Sequence, residues 1–309
     1  MTWYENGTPS PDLLRLQAAE KAIAKELVAY CRDVGVNPFL VAGSALGAYR
    51  DGDIIAWDDD IDIGLVREEY EVLIAALRER PIPGLFLQCW RSEPGYPLAF
   101  AKLRMDGTAI DEGLWDDSQF HKGIFVDIFP FDALPRSRVM QKVQHSLLLA
   151  INLFVMSFSN KMAQVAASRR IRMLRKVAFT LRPLVPVRLL IRLREWVNRM
   201  PVARKSDDLV SFEMYGIRFA GRTRVGRDVL LPPATCRFGD LEMPVPARCE
   251  DYLRGIFGNF SELPPEEKRR PLHITRVRFD GASLKGLATL FGVFLLERTF
   301  AIHAVEIAI

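Results

Sequence analysis

The chain has 309 residues, of which 49% are hydrophobic and 26% are charged. An apolar fraction of this size can bury a large core, and it excludes an intrinsically disordered chain. The net charge is only +4, but residues 161–204 contain twelve Lys or Arg and a single acidic residue, Glu195. Such a basic stretch is suited to contact with anionic lipid, nucleic acid or a phosphorylated substrate.

Cysteine usage and hydropathy favour a cytoplasmic protein. The chain has four cysteines, Cys31, Cys89, Cys236 and Cys249. None belongs to a C-x-x-C pair, which favours buried free thiols in a reducing compartment. Residues 1–11 lack a basic segment followed by an apolar one, so no signal peptide is predicted. The apolar stretches 147–158 and 287–296 are shorter than the roughly 18–20 residues that cross a bilayer, so we expect a soluble protein or one on the inner membrane face.

The first predicted element is a long amphipathic helix. Ser10 is suited to the N-cap and Pro11 to the first helical position. Apolar residues then recur at steps of three and four up to residue 34, which gives the helix one apolar face. Gly35 is a suitable terminator.

A mixture of short strands and helices follows. The pattern predicts a buried strand over 39–42 that turns at Gly43-Ser44, then a small turn or helix over 45–49. It predicts a second helix over 68–80. Further strands are expected at 85–90, 98–105 and 123–129. This order of elements indicates an α/β sheet.

The chain then changes character. Residues 137–200 have a helical pattern that is broken near Pro183 and Pro186, and short mixed elements return after residue 207. We therefore predict a catalytic core over 1–136, a basic helical insertion over 137–206, and a C-terminal part over 207–309 that completes the core and ends in an apolar tail.

The acidic run at 58–62 is the first candidate site. If it is a strand, Asp60 and Asp62 project from one face while the isoleucines between them face the core. Two neighbouring carboxylates repel each other, and a hard cation such as Mg²⁺ relieves that repulsion. Asp58 has the same parity and extends the set, whereas Asp59 is expected to face solvent or cap the strand's entry. The alternative is an exposed acidic turn.

A second carboxylate lies within an otherwise apolar strand. Asp127 stands between Val126 and Ile128, where an unpaired charge costs several kcal/mol. A metal shared with Asp60 and Asp62 would supply its partner. Asp132, beyond a proline, is expected to organise a turn.

Residues upstream of the acidic run are candidates for binding phosphate. At a Gly43-Ser44 turn, backbone N–H groups and the serine hydroxyl can approach an oxyanion. Arg50 can pair with a phosphate through two hydrogen bonds, or form a salt bridge with Asp51, Asp53 or the acidic run. Trp57 is expected to be an apolar plug under the site rather than a surface for stacking a base.

Three segments together resemble the LicD family, which includes bacterial phosphocholine transferases and, more distantly, fukutin and fukutin-related protein. They are G-S-A-L-G-A-Y-R at 43–50, I-A-W-D-D-D-I-D-I-G at 55–64, and the segment 123–130. The resemblance is strongest over roughly residues 20–135 and resumes at 243–259. It implies a nucleotidyltransferase-like fold of the α/β (α+β) class, in which helices flank a small mixed sheet.

The resemblance also implies a metal-dependent catalytic group. By analogy, Asp60, Asp62 and Asp127 hold Mg²⁺ or Mn²⁺, and Asp58 supports them as a fourth catalytic carboxylate. The implied reaction moves phosphocholine or a polyol phosphate from a CDP-linked donor to a glycan hydroxyl. The metal would stabilise the departing CMP, and Asp127 or Asp58 would take the acceptor's proton.

The same analogy implies a donor-binding group. Gly43, Ser44 and Arg50 would hold the donor phosphates. Lys102 would add a positive charge, although a lysine in that strand can equally extend to the surface.

Two other functions and one surface contact are compatible with the sequence. Nucleotidyl transfer would use the same metals and release pyrophosphate, and a non-enzymatic alternative is a nucleotide-binding module at a membrane. The basic helices over 139–200 could rest on the membrane near a lipid-linked glycan acceptor, or form an ordinary helical subdomain. Nucleic-acid binding is not expected because aromatic residues are scarce among the arginines.

Overall fold

The computed structural model describes residues 3–5, 8–111, 120–156, 173, 177–181, 185–200, 206–212 and 223–279. The predicted apolar tail and much of the basic stretch within 157–186 lie outside these ranges. The division of the chain into 1–136, 137–206 and 207–309 stays a prediction.

The described elements alternate between short strands and helices. The strands are β1 Tyr4–Glu5, β2 Thr8–Pro9, β3 Phe39–Leu40, β4 Asp62–Val66, β5 Leu85–Gln88, β6 Ala101–Met105, β7 Thr108–Asp111, β8 Phe125–Ala133, β9 Asp208–Val210, β10 Val225–Gly226, β11 Ala234–Phe238, β12 Leu241–Val245 and β13 Arg276–Phe279. The α-helices are α1 Pro11–Val34, α2 Ala42–Leu46, α3 Arg67–Glu79, α4 Arg138–Met156, α5 Val187–Asn198, α6 Arg227–Leu230 and α7 Cys249–Phe257. A π-helical turn spans Gly47–Asp51 and a 3₁₀ turn spans Glu266–Lys268.

Helix α1 begins and ends where its capping residues predict. The Ser10 side chain accepts a hydrogen bond from the Leu13 N–H, and Pro11 is the first helical residue. Gly35 ends the helix in the left-handed conformation with φ of 73°, which glycine adopts without a steric penalty. Leu16, Ile23 and their helical neighbours are fully buried against the sheet.

Strand β8 organises the main sheet, which has seven strands among the described residues. It pairs in parallel with β4 along one edge, and β4 pairs with β3. Its other edge is shared by two antiparallel partners: β6 pairs with residues 125–128 and β9 with residues 132–133. Strand β5 pairs with the outer edge of β6, and strand β10 pairs with the outer edge of β9. The mixed sheet flanked by helices confirms the predicted fold class.

The glycine that ends the acidic motif has a packing role. Gly64 lies in β4 beneath the edge-to-face ring pair Phe39 and Phe131, whose centroids are 5.5 Å apart. A Cβ atom at Gly64 would lie 2.7 Å from the Phe39 ring and 2.8 Å from both the Phe131 ring and Val41. The sheet is therefore packed too closely here for any larger residue.

Helices α4 and α5 pack together over a second, smaller apolar cluster. Leu148, Ile151 and Val155 from α4 meet Val197 from α5 and Val210 from β9. The buried Gln144 side chain donates to the Val197 carbonyl, and the buried Arg194 guanidinium donates to the carbonyl of Pro97. These contacts fix the helix pair to the end of the main sheet.

A buried ion cluster joins these helices to the sheet. Arg67, at the start of α3, forms two 2.7 Å hydrogen bonds with Asp132 of β8 and a 3.3 Å contact with Glu195 of α5. All three side chains are buried. The expectation that Asp132 organises a turn is wrong, because β8 continues through Ala133 and the carboxylate is committed to Arg67.

The predicted elements are largely present, with shorter strands. The helices expected at 10–35 and 68–80 are α1 and α3, and the helical region 137–200 contains α4 and α5. The expected strands at 85–90, 98–105 and 123–129 correspond to β5, β6 and β8. Strands β7 and β9 to β13 were not expected. Across the described part of the chain, no helix combines the length and apolarity that a bilayer crossing requires.

We expect Arg67→Met to lower the free energy of unfolding by about 3–5 kcal/mol, because Asp132 and Glu195 would be left as buried charges without their cation. Urea denaturation measures the change. The matched control is Arg254→Met, which removes an exposed i,i+4 pair with Glu250 and should change stability by under ~1 kcal/mol. Adding Asp132→Asn and Glu195→Gln to Arg67→Met should recover part of the loss. Equal effects of Arg67→Met and Arg254→Met would contradict the assignment.

Candidate active site

Three adjacent strands bring one lysine and two aspartates side by side. Asp62 of β4 is the register partner of Asp127 in β8, and Asp127 is the partner of Lys102 in β6. Register partners project from the same face of a sheet, so these side chains form a row across it. The Lys102 ammonium lies 2.8 Å from the Asp127 carboxylate and 3.3 Å from the centre of the Phe125 ring. Lys102 is therefore buried at the site and does not extend to the surface.

The acidic run approaches this row from outside the strand. Strand β4 begins only at Asp62, so the expectation that Asp58 and Asp60 belong to the strand is wrong. Residues 58–61 have no regular secondary structure, and the Gln17 side chain of α1 donates a hydrogen bond to the Asp58 carbonyl, which lies outside the sheet. Asp58, Asp60 and Asp62 nevertheless line one cavity, while Ile61 is fully buried.

Asp59 does not face solvent, nor does it cap the strand. Its carboxylate is fully buried and accepts hydrogen bonds from the backbone N–H groups of Leu272, His273 and Ile274, at 2.7 to 3.2 Å. Three such donors stabilise a buried carboxylate. Asp59 therefore fastens the segment around residue 273 to the edge of the site.

The Gly43-Ser44 pair lies in the first turn of α2 and not in an open turn after a strand. A Cβ atom at Gly43 would lie 2.7 Å from an Asp58 carboxylate oxygen, so glycine allows that side chain to approach the helix. Ser44 is buried, and its Oγ accepts a hydrogen bond from the Asp62 N–H at 2.9 Å. It is positioned beneath the cavity, and Gly43 is in the cavity wall.

The backbone entering α2 is strained. Ala42 has φ of 46°, which an alanine adopts only when its surroundings enforce it. Its N–H donates to the Tyr252 hydroxyl of α7, 3.1 Å away. The C-terminal part of the described chain thus helps to set the conformation of the cavity wall.

Arg50 and Trp57 also line the cavity. The Arg50 guanidinium forms two hydrogen bonds with its neighbour Asp51, at 2.7 and 2.8 Å, which is the salt-bridge alternative considered from the sequence. Trp57 is half-buried and packs edge-on against Tyr4. Arg50 must exchange Asp51 for a phosphate if it is to hold one.

The cavity has a volume of about 790 Å³, within the range of sites for small molecules. Its polar lining includes the carboxylates, Arg50, Lys102, Asn259 and His273, and the lining also contains six aromatic residues. The aromatic residues that line it are Trp57, Phe100, Phe125, Phe129, Phe257 and Phe260. Seven of the eight residues predicted for the site line this cavity, and Ser44 is the exception.

The acidic residues are poorly solvated and repel one another. Burial raises the pKa of Asp60 to about 6, an effect that His273 partly offsets. Burial, followed by the charges of Asp60 and Asp127, raises the pKa of Asp62 well above its usual range. The same causes, burial and then Asp60, act on the pKa of Asp58. Lys102 and His273 offset only part of this repulsion, so the cluster favours binding a further cation.

Glu20 is a buried acid that the sequence-based expectations missed. It lies in α1, fully buried, and neither carboxylate oxygen has a hydrogen-bond partner in the described structure. Burial, followed by the charges of Asp60 and Asp59, raises the pKa of Glu20 well above its usual range. The available signal was position: residue 20 falls on the buried face of α1, between Leu16 and Ile23, where a charge is out of place.

His273 is a second residue that the expectations did not place. It lines the cavity, and its Nε2 lies 3.5 Å from the Asp60 carboxylate. Among the described residues, Asp59, Asp60 and His273 form the one group of three whose ligand atoms lie within 4.8 Å of one another. Both Asp59 oxygens accept hydrogen bonds from backbone N–H groups. Within this group, Asp60 and His273 are therefore the residues available to bind a metal ion.

The donor set is suited to a hard divalent cation. Asp60, Asp62 and Asp127 supply oxygen ligands in one cavity, and the raised pKa values of the first two show that ionisation there is unfavourable without a counter-charge. Their ligand atoms are further apart than 4.8 Å as a group, so a shared ion requires side-chain rotation. His273 adds a nitrogen near Asp60, a donor that Mn²⁺ accepts more readily than Mg²⁺.

We expect Asp60→Asn to stabilise the metal-free protein by ~1–3 kcal/mol at pH 7.5. The folded-state pKa of about 6 lies above the unfolded value of 3.8, so the ionised carboxylate becomes destabilising as pH rises through this interval. The advantage of Asp60→Asn should therefore vanish towards pH 4. Unfolding in EDTA at both pH values measures it, with Asp240→Asn, at an exposed site, as the control. An advantage independent of pH would argue against this origin.

Comparison with known proteins finds similarity over the part of the chain that carries this site. Residues 35–150 match the family model described as LicD/FKTN/FKRP, nucleotidyltransferase domain. The ribitol 5-phosphate transferases FKRP of Homo sapiens and Mus musculus are each 41% identical to this chain over 66 residues. The aligned segment covers 21% of this chain and 13% of either relative.

The matched range contains every predicted site residue, from Gly43 in α2 to Asp127 in β8. It also contains the parallel pairing of β4 with β8 that aligns the two aspartates. Residues 35–150 are therefore similar to the nucleotidyltransferase domain of the LicD/FKTN/FKRP family, and this similarity covers the part of the chain that carries the site.

Proposed function

We propose that the chain transfers a phosphate-linked substituent, of the phosphocholine or polyol-phosphate type, from a CDP-linked donor to a hydroxyl of a cell-surface glycan or glycolipid precursor. The observation that carries the proposal is the row of Lys102, Asp127 and Asp62 on three adjacent strands, inside the range that the family model matches. The FKRP relatives are named as ribitol 5-phosphate transferases, which supports transfer of a polyol phosphate.

The residues divide into a metal-binding group and a donor-binding group. Asp60, Asp62 and Asp127 would hold Mg²⁺ or Mn²⁺, which when bound neutralises phosphate charge and stabilises the leaving group. Lys102, beside Asp127 and open to the cavity, would contact the transferred phosphate. Arg50 and the backbone near Gly43 would hold the nucleotide phosphates, after Arg50 releases Asp51.

The reaction is an in-line displacement at phosphorus. The acceptor oxygen forms a bond to the phosphorus that carries the substituent, and the bond from that phosphorus to the oxygen of CMP breaks. We assign the acceptor's proton to Asp58 rather than Asp127. Asp127 is already paired with Lys102, whereas the raised pKa of Asp58 makes its carboxylate a stronger base.

The aromatic lining of the cavity suggests how the donor is orientated. Phe100 and Phe129 contact each other at 4.4 Å between ring centres, and Phe257 and Phe260 line the cavity from its C-terminal side. Such surfaces exclude water from the reacting phosphate and provide faces on which a base can stack. We place the cytidine against this lining and the pyrophosphate against the row of charged residues.

Nucleotidyl transfer is the second candidate, because the family model describes a nucleotidyltransferase domain. It would use the same cavity and the same metal ligands, but the nucleotide would be the transferred part. The released product distinguishes the reactions, since phospho-substituent transfer liberates CMP and nucleotidyl transfer liberates pyrophosphate. A module that only binds a nucleotide would release neither.

We expect the purified protein to release CMP from CDP-linked donors in the presence of Mg²⁺ or Mn²⁺ and a glycan acceptor, and to lose this activity in EDTA. Asp62→Asn should lower kcat by on the order of 10³-fold or more, because it removes a charge that stabilises the bound cation. Chromatography of the nucleotide products measures both effects.

The control for this experiment is Asp240→Asn, which removes one carboxylate from an exposed turn between β11 and β12. It should leave kcat unchanged, and circular dichroism should show both variants folded. Full activity of folded Asp62→Asn would refute the proposed site. Release of pyrophosphate in place of CMP would favour the second candidate.

A further inference from the structure

The outer side of α4 carries an apolar stripe that the rest of the described chain leaves uncovered. Val139, Val143 and Leu147 are spaced by four residues and so lie on one side of the helix. They are 69%, 41% and 40% exposed. The neighbouring side, about 100° round the helix, is buried, and there Gln144 and Leu148 pack towards α5.

Helix α5 carries a matching stripe. Leu189, Leu193 and Trp196 follow at spacings of four and three residues and are 43–60% exposed. The residues on its inner side are Arg194, Glu195 and Val197, which are committed to Pro97, Arg67 and the α4 cluster. Both helices therefore bury one side in the protein and present a second apolar side outward.

The charges beside these stripes have one sign. Arg138 and Lys142 are exposed on α4, and Arg188 and Arg192 are exposed on α5. Residues 134–200 contain one acidic residue, Glu195, and it is buried against Arg67. Exposed apolar side chains flanked by cations, with no acid among them, are the features of a helix that lies in the interface of an anionic bilayer.

We propose that the outer faces of α4 and α5 dock the protein peripherally on the surface of an anionic lipid bilayer. The apolar stripes would enter the headgroup region, and the four flanking cations would contact the lipid phosphates. A nucleic acid fits this surface less well, because five of the six stripe residues are aliphatic and offer no stacking face. The docking does not depend on the proposed transfer reaction, since binding is measured without turnover.

Flotation of the full chain with vesicles tests the proposal. Vesicles of phosphatidylcholine with 30% phosphatidylglycerol should carry the protein upward in a density gradient, and pure phosphatidylcholine should carry much less. The double variant Leu193→Asp and Trp196→Asp should lower the partition coefficient about tenfold or more, because it places two charges in the inserted stripe. Arg188→Gln with Arg192→Gln should lower it several-fold and reduce its dependence on salt.

The matched control is the double variant Leu14→Asp and Val72→Asp, which introduces the same two charges at exposed apolar residues of α1 and α3 that are 52% and 49% accessible and outside both stripes. It should float like the wild type, and thermal unfolding should show that all variants are folded. Equal flotation of wild type and Leu193→Asp/Trp196→Asp would overturn the proposal. So would a concentration-dependent dimer, seen by light scattering without lipid, that this double variant abolishes.

Discussion

The pairing of β4 with β8 imposes the constraint on which the site depends. Neighbouring strands are ~4.8 Å apart, so two aspartates in register are held closer than their charges favour. Asp62 and Asp127 are such a pair, and the sheet cannot separate them without a shift of register that would turn every side chain of β4 to the other face. The buried side chains of β4 fix its register, and this register holds the Asp62 carboxylate, at the first residue of the strand, close to that of Asp127.

Much of the surrounding structure holds this arrangement in place. Ser44 accepts the N–H of Asp62, Gln17 donates to the carbonyl of Asp58, and Gly43 makes room for the Asp58 carboxylate. Lys102 offsets the charge of Asp127 from the other side. These contacts come from α1, α2 and β6, so the site is preorganised by three elements besides its own strands.

The sequence predicted the acidic cluster because its signal is local. Asp60 and Asp62 alternate with buried isoleucines, and Asp127 interrupts an apolar strand. The immediate neighbours of each aspartate therefore indicate that it lies at the edge of the core. The length of β4 was not predictable in this way. Where a strand ends is decided by partners distant in the chain, and here the backbone of Asp58 is bonded to Gln17 instead of a neighbouring strand.

The residues that the sequence misassigned all depend on distant partners. Asp59 and Asp132 have ordinary neighbours in the sequence, and only the fold shows that the first accepts hydrogen bonds from backbone 213–215 residues away and that the second binds Arg67. The role of His273 could not be predicted from its neighbours in the sequence, because it depends on the distance between its side chain and Asp60 in the folded protein. Glu20 could have been found from helical periodicity, because the pattern of α1 predicts an apolar residue at position 20 and the sequence has a glutamate there.

The ion cluster around Arg67 links the main sheet to the helical layer. One guanidinium contacts β8 through Asp132 and α5 through Glu195, while α3 carries the arginine itself. The carboxylate row shares strand β8 with this cluster, since Asp132 is five residues from Asp127 along β8. A displacement of α5 at a membrane would therefore act on the strand that carries the site through a buried and directional contact.

The bonds from Asp59 to residues 272–274 have a consequence for biosynthesis. The buried Asp59 carboxylate gains its three backbone hydrogen-bond donors only when residues more than 200 positions further along the chain have been synthesised. During translation the β4 segment leaves the ribosome long before that partner exists, so Asp59 stays hydrated and the cavity rim stays open. The nascent chain consequently completes its acidic centre only after residues 272–274 have been synthesised and have folded against Asp59.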